Sequence, residues 1–205
     1  MLGNLRGGAC RRAESSPDRN DQRPARRDAR TVVSGVVRVL RGGSLWPAVW
    51  EDEGVAHYLE DLAAGQTFTT PGRTITEADV MSFASWTNDN NQVHTDVEFA
   101  ARTRYGQRVV HGLLGTSLCL GLIARTGVFE GSAVALLGID QWRFTAPVFI
   151  GDTVTCEVEI LGTRLTSSGT TGIVERRVAL RNQHGEVVQQ GRMDVMVLTR
   201  DAAIG

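Results

Sequence analysis

The chain has 205 residues, 41% of them hydrophobic, and a formal net charge of −1, which leaves room for one domain with or without a tail. All 22 basic residues are arginine, and residues 1–41 hold ten of them against four acidic residues, the remainder twelve against nineteen. A mildly acidic body is a poor polyanion binder, which argues against a nucleic-acid partner. Cys10, Cys119 and Cys156 are far apart and contain no CxxC pair, so they define neither a disulfide framework nor a thiolate metal site and suit a reducing cytoplasm.

Residues 1–54 are polar and rich in breakers, with Arg11-Arg12, Ser15-Ser16-Pro17 and Arg26-Arg27. They are expected to be a disordered extension, or sequence lying upstream of the true start. Met1 to Arg12 lacks the apolar segment of a secretory signal, and the early acidic residues argue against an organelle transit peptide. Thr31 to Leu40 holds a valine-rich run that reads as either strand or helix, and Trp46 and Trp50 are placed to dock on a folded body.

The orderly part is expected over residues 55–200, with 201–205 as a tail. Thr67 to Thr74 alternates like a strand. Thr76-Glu77-Ala78-Asp79 has the form of a capping box with Asp in place of Glu, and the helix it opens carries Val80, Phe83, Ala84 and Trp86 before breaking at Asn88-Asp89. The polar stretch from Asp89 to Asp96 reads as too irregular for a helix. Asp96 is placed to cap a second short helix through Phe99 and Ala100, ending near Tyr105-Gly106. Gly112 to Ala124 is apolar on almost every face and shorter than the roughly 18 residues of a membrane span, so protein must enclose it. Four strand-like segments follow, Ala133 to Thr145, Thr153 to Thr166, Thr171 to Asn182 and Glu186 to Thr199, with Val154, Cys156, Val158 and Ile160 alternating onto one face. Cys119 and Cys156 read as small core residues. A buried helix followed by hairpin-linked strands predicts an α+β domain in which an antiparallel sheet wraps a long central apolar helix.

Asp89 and His94 put a carboxylate and an imidazole on one polar loop, where both can reach the same water. His111-Gly112 opens the apolar helix with backbone N–H groups able to meet an oxyanion. Acid, base and oxyanion donor together suit the addition or removal of water at an activated carbonyl compound. Each residue also has a plainer role open to it: Asp89 and Asn91 as turn caps, Gly112 as a packing contact. His94, Asp96 and His111 lack the helical spacing of a metal site, and none is expected. His57 and His184 read as solvated, and Trp142 and Phe144 as core or interface residues.

Over about residues 57–200 the chain resembles the MaoC-like dehydratases, the (R)-specific enoyl-CoA hydratase branch of the hot-dog fold. The family motif Gly-Asp-x-Asn-Pro-aliphatic-His-x-Asp is met by Asn88-Asp89-Asn90-Asn91-Gln92-Val93-His94-Thr95-Asp96, with Asn88 for Gly and Gln92 for Pro. The second feature is met by Tyr105-Gly106 and by Val109-Val110-His111-Gly112-Leu113-Leu114-Gly115-Thr116-Ser117. The resemblance implies reversible hydration of trans-2-enoyl thioesters to (R)-3-hydroxyacyl thioesters. Asp89 then takes a proton from the water attacking C3, and His94 orients that water and helps deliver a proton to C2. Gly112 gives its N–H to the thioester oxygen, with His111 and Leu113 beside it on the substrate. Asn91 supports the loop or the base, and Ser117 bonds either Asp89 or its own helix carbonyls. No metal and no cofactor is implied beyond the CoA or phosphopantetheine arm of the substrate. A homodimer is implied because hot-dog domains form the pantetheine tunnel between subunits. A hot-dog acyl-CoA thioesterase and a non-catalytic acyl-thioester-binding protein are the alternatives.

Overall fold

The computed structural model describes residues 56–203. The expectations for residues 1–54, including Cys10, Thr31 to Leu40, Trp46 and Trp50, lie outside the described residues, as do positions 204 and 205 of the expected tail.

A short 3-10 turn, Leu59–Asp61, leads into β1 (Thr67–Thr69) and β2 (Arg73–Thr74). The single strand expected here is split by Pro71-Gly72, where proline has no N–H to give a ladder. Thr76 and Asp79 form the anticipated reciprocal cap: Thr76 N–H donates to Asp79 Oδ2 at 2.8 Å and Asp79 N–H to Thr76 Oγ1 at 3.3 Å. They start α1 (Glu77–Thr87), which ends at Asn88 in the left-handed conformation, φ 59°.

The next segment departs from expectation. Gln92–Thr95 forms one helical turn, α2, because the Asn91 side chain accepts from Val93 N–H at 3.2 Å and replaces the missing first-turn carbonyl. Asp96 caps α3 (Val97–Ala101) through Phe99 N–H at 2.9 Å; this helix stops short of Tyr105. The central helix α4 spans Gly112–Ala124, as read from the sequence.

Six strands complete the sheet: β3 (Ala133–Leu136), β4 (Asp140–Phe144), β5 (Thr153–Leu165), β6 (Thr171–Arg181), β7 (Val187–Arg192) and β8 (Val195–Leu198), before a last turn, α5 (Arg200–Ala203). Two expected strands are each interrupted, one at Leu137–Ile139 beside Gly138, the other at Met193-Asp194. All pairings are antiparallel in the order β1-β5-β6-β7-β4, with β2 continuing the β1 edge of β5, and β8 joining β6 to β3.

Val154, Cys156, Val158 and Ile160 are fully buried on the concave face of β5, each of the larger aliphatics contributing roughly 1.5–3 kcal/mol by leaving water. They meet Leu114, Leu118, Cys119 and Leu122 of α4, so the sheet curls around the helix as in a hot-dog fold. Arg176 shares this inner face at 3% exposure; its Nε donates to Met193 O at 2.8 Å and its guanidinium sits 4.9 Å from the Phe129 ring. Burial lowers its pKa to about 10, which leaves it charged at neutral pH. His57, expected in solvent, is instead buried, with its N–H on Val128 O at 2.8 Å. His184 is exposed in its turn.

The sheet covers only one side of α4. Leu113 is 64% exposed, and Ser117, Gly121 and Ala124 below it also face outward in the single chain.

Candidate active site

The loop chemistry begins with Asn88. Its φ of 59° lies in the left-handed region that glycine favours, and asparagine is among the few other side chains that tolerate it. Gln92 is the first residue of α2, the helical position at which proline fits without losing a bond. Both departures from the motif therefore suit the backbone they occupy here.

One backbone bond and one side-chain bond tie this loop to the strand-like segment before α4. Val109 N–H donates to Val93 O at 3.1 Å, and Val109 O accepts from His94 Nδ1 at 2.7 Å. Arg108 holds the same segment to α1 through an ion pair with Glu77 at 2.8 Å; that hydrogen bond, and then the arginine charge, keep the Glu77 carboxyl below its usual range. A carbonyl can only accept, so His94 Nδ1 carries a hydrogen, and in the neutral tautomer this selects, Nε2 is the nitrogen with the lone pair.

His111 is 2% exposed and meets two rings, Phe83 tilted at 5.1 Å and His94 stacked at 3.9 Å, the latter 25° from parallel. Its Nε2 donates to the backbone carbonyl of Asp89 at 3.0 Å. It lines the groove, as a substrate contact would, and it also braces Asp89 against His94. Asp89 itself is exposed, with Oδ1 accepting from Asn91 N–H at 3.4 Å. Asn91 thus serves by capping α2 and by its main chain, while Ser117 gives its hydroxyl to Leu113 O at 2.9 Å rather than to Asp89.

Asp89, His94 and His111 each bring a ligand-type atom within 4.8 Å of the others. Both imidazoles, however, spend one nitrogen on a main-chain carbonyl. The arrangement suits a water between an acid and a base better than a cation. Asp96, weighed with the histidines in the sequence, is the cap of α3 instead.

These groups open onto one groove of about 810 Å³, lined among others by Phe83, Val93, Tyr105, Leu113, Phe144 and Pro147, with Gly112 at its floor, a size suited to a small-molecule ligand. Gly112 begins α4, so its N–H and that of Leu113 have no helical carbonyl four residues back. A Cβ on Gly112 would lie 2.8 Å from Phe144 Cε1, so the glycine makes room for that ring. Phe144, read as core or interface, is thereby part of the groove wall, as are Arg104 and Gln189, which the sequence did not single out. Arg104 stands next to the aromatic-glycine pair, and Gln189 lies in the stretch Gly185 to Gly191, which also resembles the family.

Residues 61–182 match the MaoC like domain family, and the chain belongs to that family. It is 32% identical to the (R)-specific enoyl-CoA hydratase of Rhodospirillum rubrum over 149 residues, 73% of this chain and 97% of that protein. Against Protein MaoC of Klebsiella aerogenes it is 39% identical over 97 residues, 47% of this chain, and spans only 28% of that protein's length. The crystal structure of a MaoC-like dehydratase from Rhodospirillum rubrum superposes with a TM-score of 0.64 at 26% identity, covering 70% of this chain and 98% of that one.

Proposed function

We propose that this chain reversibly adds water across trans-2-enoyl thioesters to give (R)-3-hydroxyacyl thioesters. The observation that carries the reading is the convergence of Asp89 and His94, within 4.8 Å, on a groove whose floor is the open first turn of α4.

The thioester oxygen lies at the N–H groups of Gly112 and Leu113, where the helix dipole and two orphan donors favour the enolate that develops there. A water between Asp89 and His94 meets two acceptors, the carboxylate and the Nε2 lone pair, so its oxygen is directed at C3. Asp89 takes one proton as the C3–O bond forms and the C2=C3 electron pair moves toward the carbonyl oxygen. With Nδ1 of His94 committed to Val109 O, the ring acts as the acceptor that orients the water. The proton removed is then returned to C2 from the group that took it, which balances the addition of one water.

The substrate is an acyl-CoA, or a carrier-protein thioester of the same chemistry, the nucleotide or carrier remaining outside the groove. A homodimer is part of this reading: Leu113 on the open face of α4 and Val134, Leu136 and Ile139 at the sheet edge are exposed apolar side chains that a second copy could cover. No described helix is long and apolar enough to cross a membrane; a cytoplasmic location is part of the same proposal.

The full chain should consume the conjugated absorbance of crotonyl-CoA without releasing thiol and yield the (R)-alcohol. Release of free CoA would instead support the thioesterase alternative, and tight binding without turnover of any enoyl chain length the binding protein.

A further inference from the structure

We infer that Gln189 is a positioning residue for the oxyanion donors, setting the first turn of α4 against the reacting carbonyl; this rests on the hydratase reading. Gln189 lies in β7, is 2% exposed, and is a polar side chain on the core side of the sheet. Its Nε2 donates to Gly112 O at 3.1 Å, and its Oε1 accepts from Trp142 Nε1 at 3.2 Å and Thr116 Oγ1 at 3.1 Å. An indole nitrogen can only donate, so Trp142 fixes which end of the amide faces it and leaves the NH2 toward the Gly112 carbonyl.

That carbonyl belongs to the peptide unit that carries Leu113 N–H. A hydrogen bond to it fixes the plane of the peptide and polarises its N–H toward the groove. The helix is cut to receive this contact. Gly112 and Gly115 stand one turn apart on the same face of α4, and a Cβ at Gly115 would fall 2.2 Å from Gln189 Nε2. Phe144, whose ring fills the space over Gly112, is the cross-strand partner of Gln189. The pair Phe144 and Gln189 thus docks into the two glycine positions, so the register of β4 on β7 sets where the oxyanion donors lie. Gly191, two residues along β7, makes the corresponding room for Trp142, with a Cβ there 2.6 Å from the indole.

A purely structural glutamine would affect folding and leave the chemical step alone. The test is therefore Gln189→Met, which keeps the volume and removes the donor, with Trp142→Phe, which frees the amide to turn. The expected result is a kcat for crotonyl-CoA about tenfold or more below wild type in Gln189→Met with KM changed by less than about threefold, and a smaller loss in Trp142→Phe. A second readout does not need turnover. Hexadienoyl-CoA bound to Asp89→Asn protein should absorb at longer wavelength than in water, because donors on its carbonyl oxygen draw charge through the conjugated chain. Adding Gln189→Met should lose most of that shift while the thioester still binds. Unchanged kcat and unchanged shift in both variants overturn the assignment of Gln189. If wild type hydrates no enoyl-CoA the hydratase reading fails, and the spectral comparison still decides what Gln189 does. Should Gln189→Met fail to fold, Trp142→Phe decides by the same two measurements, a wild-type kcat and shift overturning the assignment.

Discussion

His111 lies flat against His94, ring centroids 3.9 Å apart, while its Nε2 holds the main-chain carbonyl of Asp89 at 3.0 Å. One buried ring therefore fixes both halves of the acid-base pair. His111→Phe keeps the stack and loses the bond to Asp89, whereas His111→Ala loses both. Initial rates on crotonyl-CoA should fall about tenfold in the first and about a hundredfold in the second, in line with misplaced catalytic groups. Equal activity in all three proteins would show that the stack is incidental.

Asn88 terminates α1 at φ 59°. Asn88→Gly should fold with unchanged or slightly higher melting temperature. Asn88→Val, which forces a branched Cβ into the left-handed region, should lose about 1–2 kcal/mol by denaturant titration. A valine variant as stable as wild type would mean that this backbone turn is not held as described.

The two glycines facing the sheet should respond differently. A Cβ at Gly112 meets the edge of Phe144, whose side is 56% exposed and free to swing, whereas one at Gly115 meets a glutamine held by three hydrogen bonds. Gly115→Ala should therefore cost about 1–3 kcal/mol of stability. Gly112→Ala should cost less in stability and more in KM, since the displaced ring enters the groove. Thermal melts and steady-state kinetics on the two variants separate the cases, and a reversed order would contradict the packing.

The outer strand β3 pairs with β8 alone among the described strands and exposes Val134 and Leu136 at 50% and 41%. An apolar edge of this kind invites pairing with another chain. Light scattering should give twice the chain mass, and Leu136→Arg should shift the protein toward the monomer with loss of activity. A wild-type monomer with full turnover would remove the dimer from the proposal.

Much of this architecture was legible because it rests on local rules. The Thr76–Asp79 cap, the Asp96 cap, the bounds of α4 and the alternation of Val154, Cys156, Val158 and Ile160 each follow from residues within one turn or one strand. The breaks in the sheet were harder: Gly138 and Met193-Asp194 sit inside otherwise continuous strand patterns, and the kink needed to wrap a helix is a property of the whole sheet. Asp89, His94 and Gly112 were marked by residue type and spacing. Gln189 was not, since a polar residue in an alternating strand ordinarily faces water, and only the pairing of β7 with β4 turns it toward α4. For His111, its neighbour Gly112 marked it as a groove residue, and only the fold shows that it also braces Asp89 against His94. His57 gave no local sign of burial.

The most direct test of the central claim, that Asp89 and His94 act on one water, is the hydration rate of crotonyl-CoA by Asp89→Asn, His94→Gln and the double variant. Each single change should slow hydration about a hundredfold or more, and the double variant should be little slower than the slower single one, since the two groups act as a unit. Full activity in either single variant, or losses that simply multiply, would contradict it.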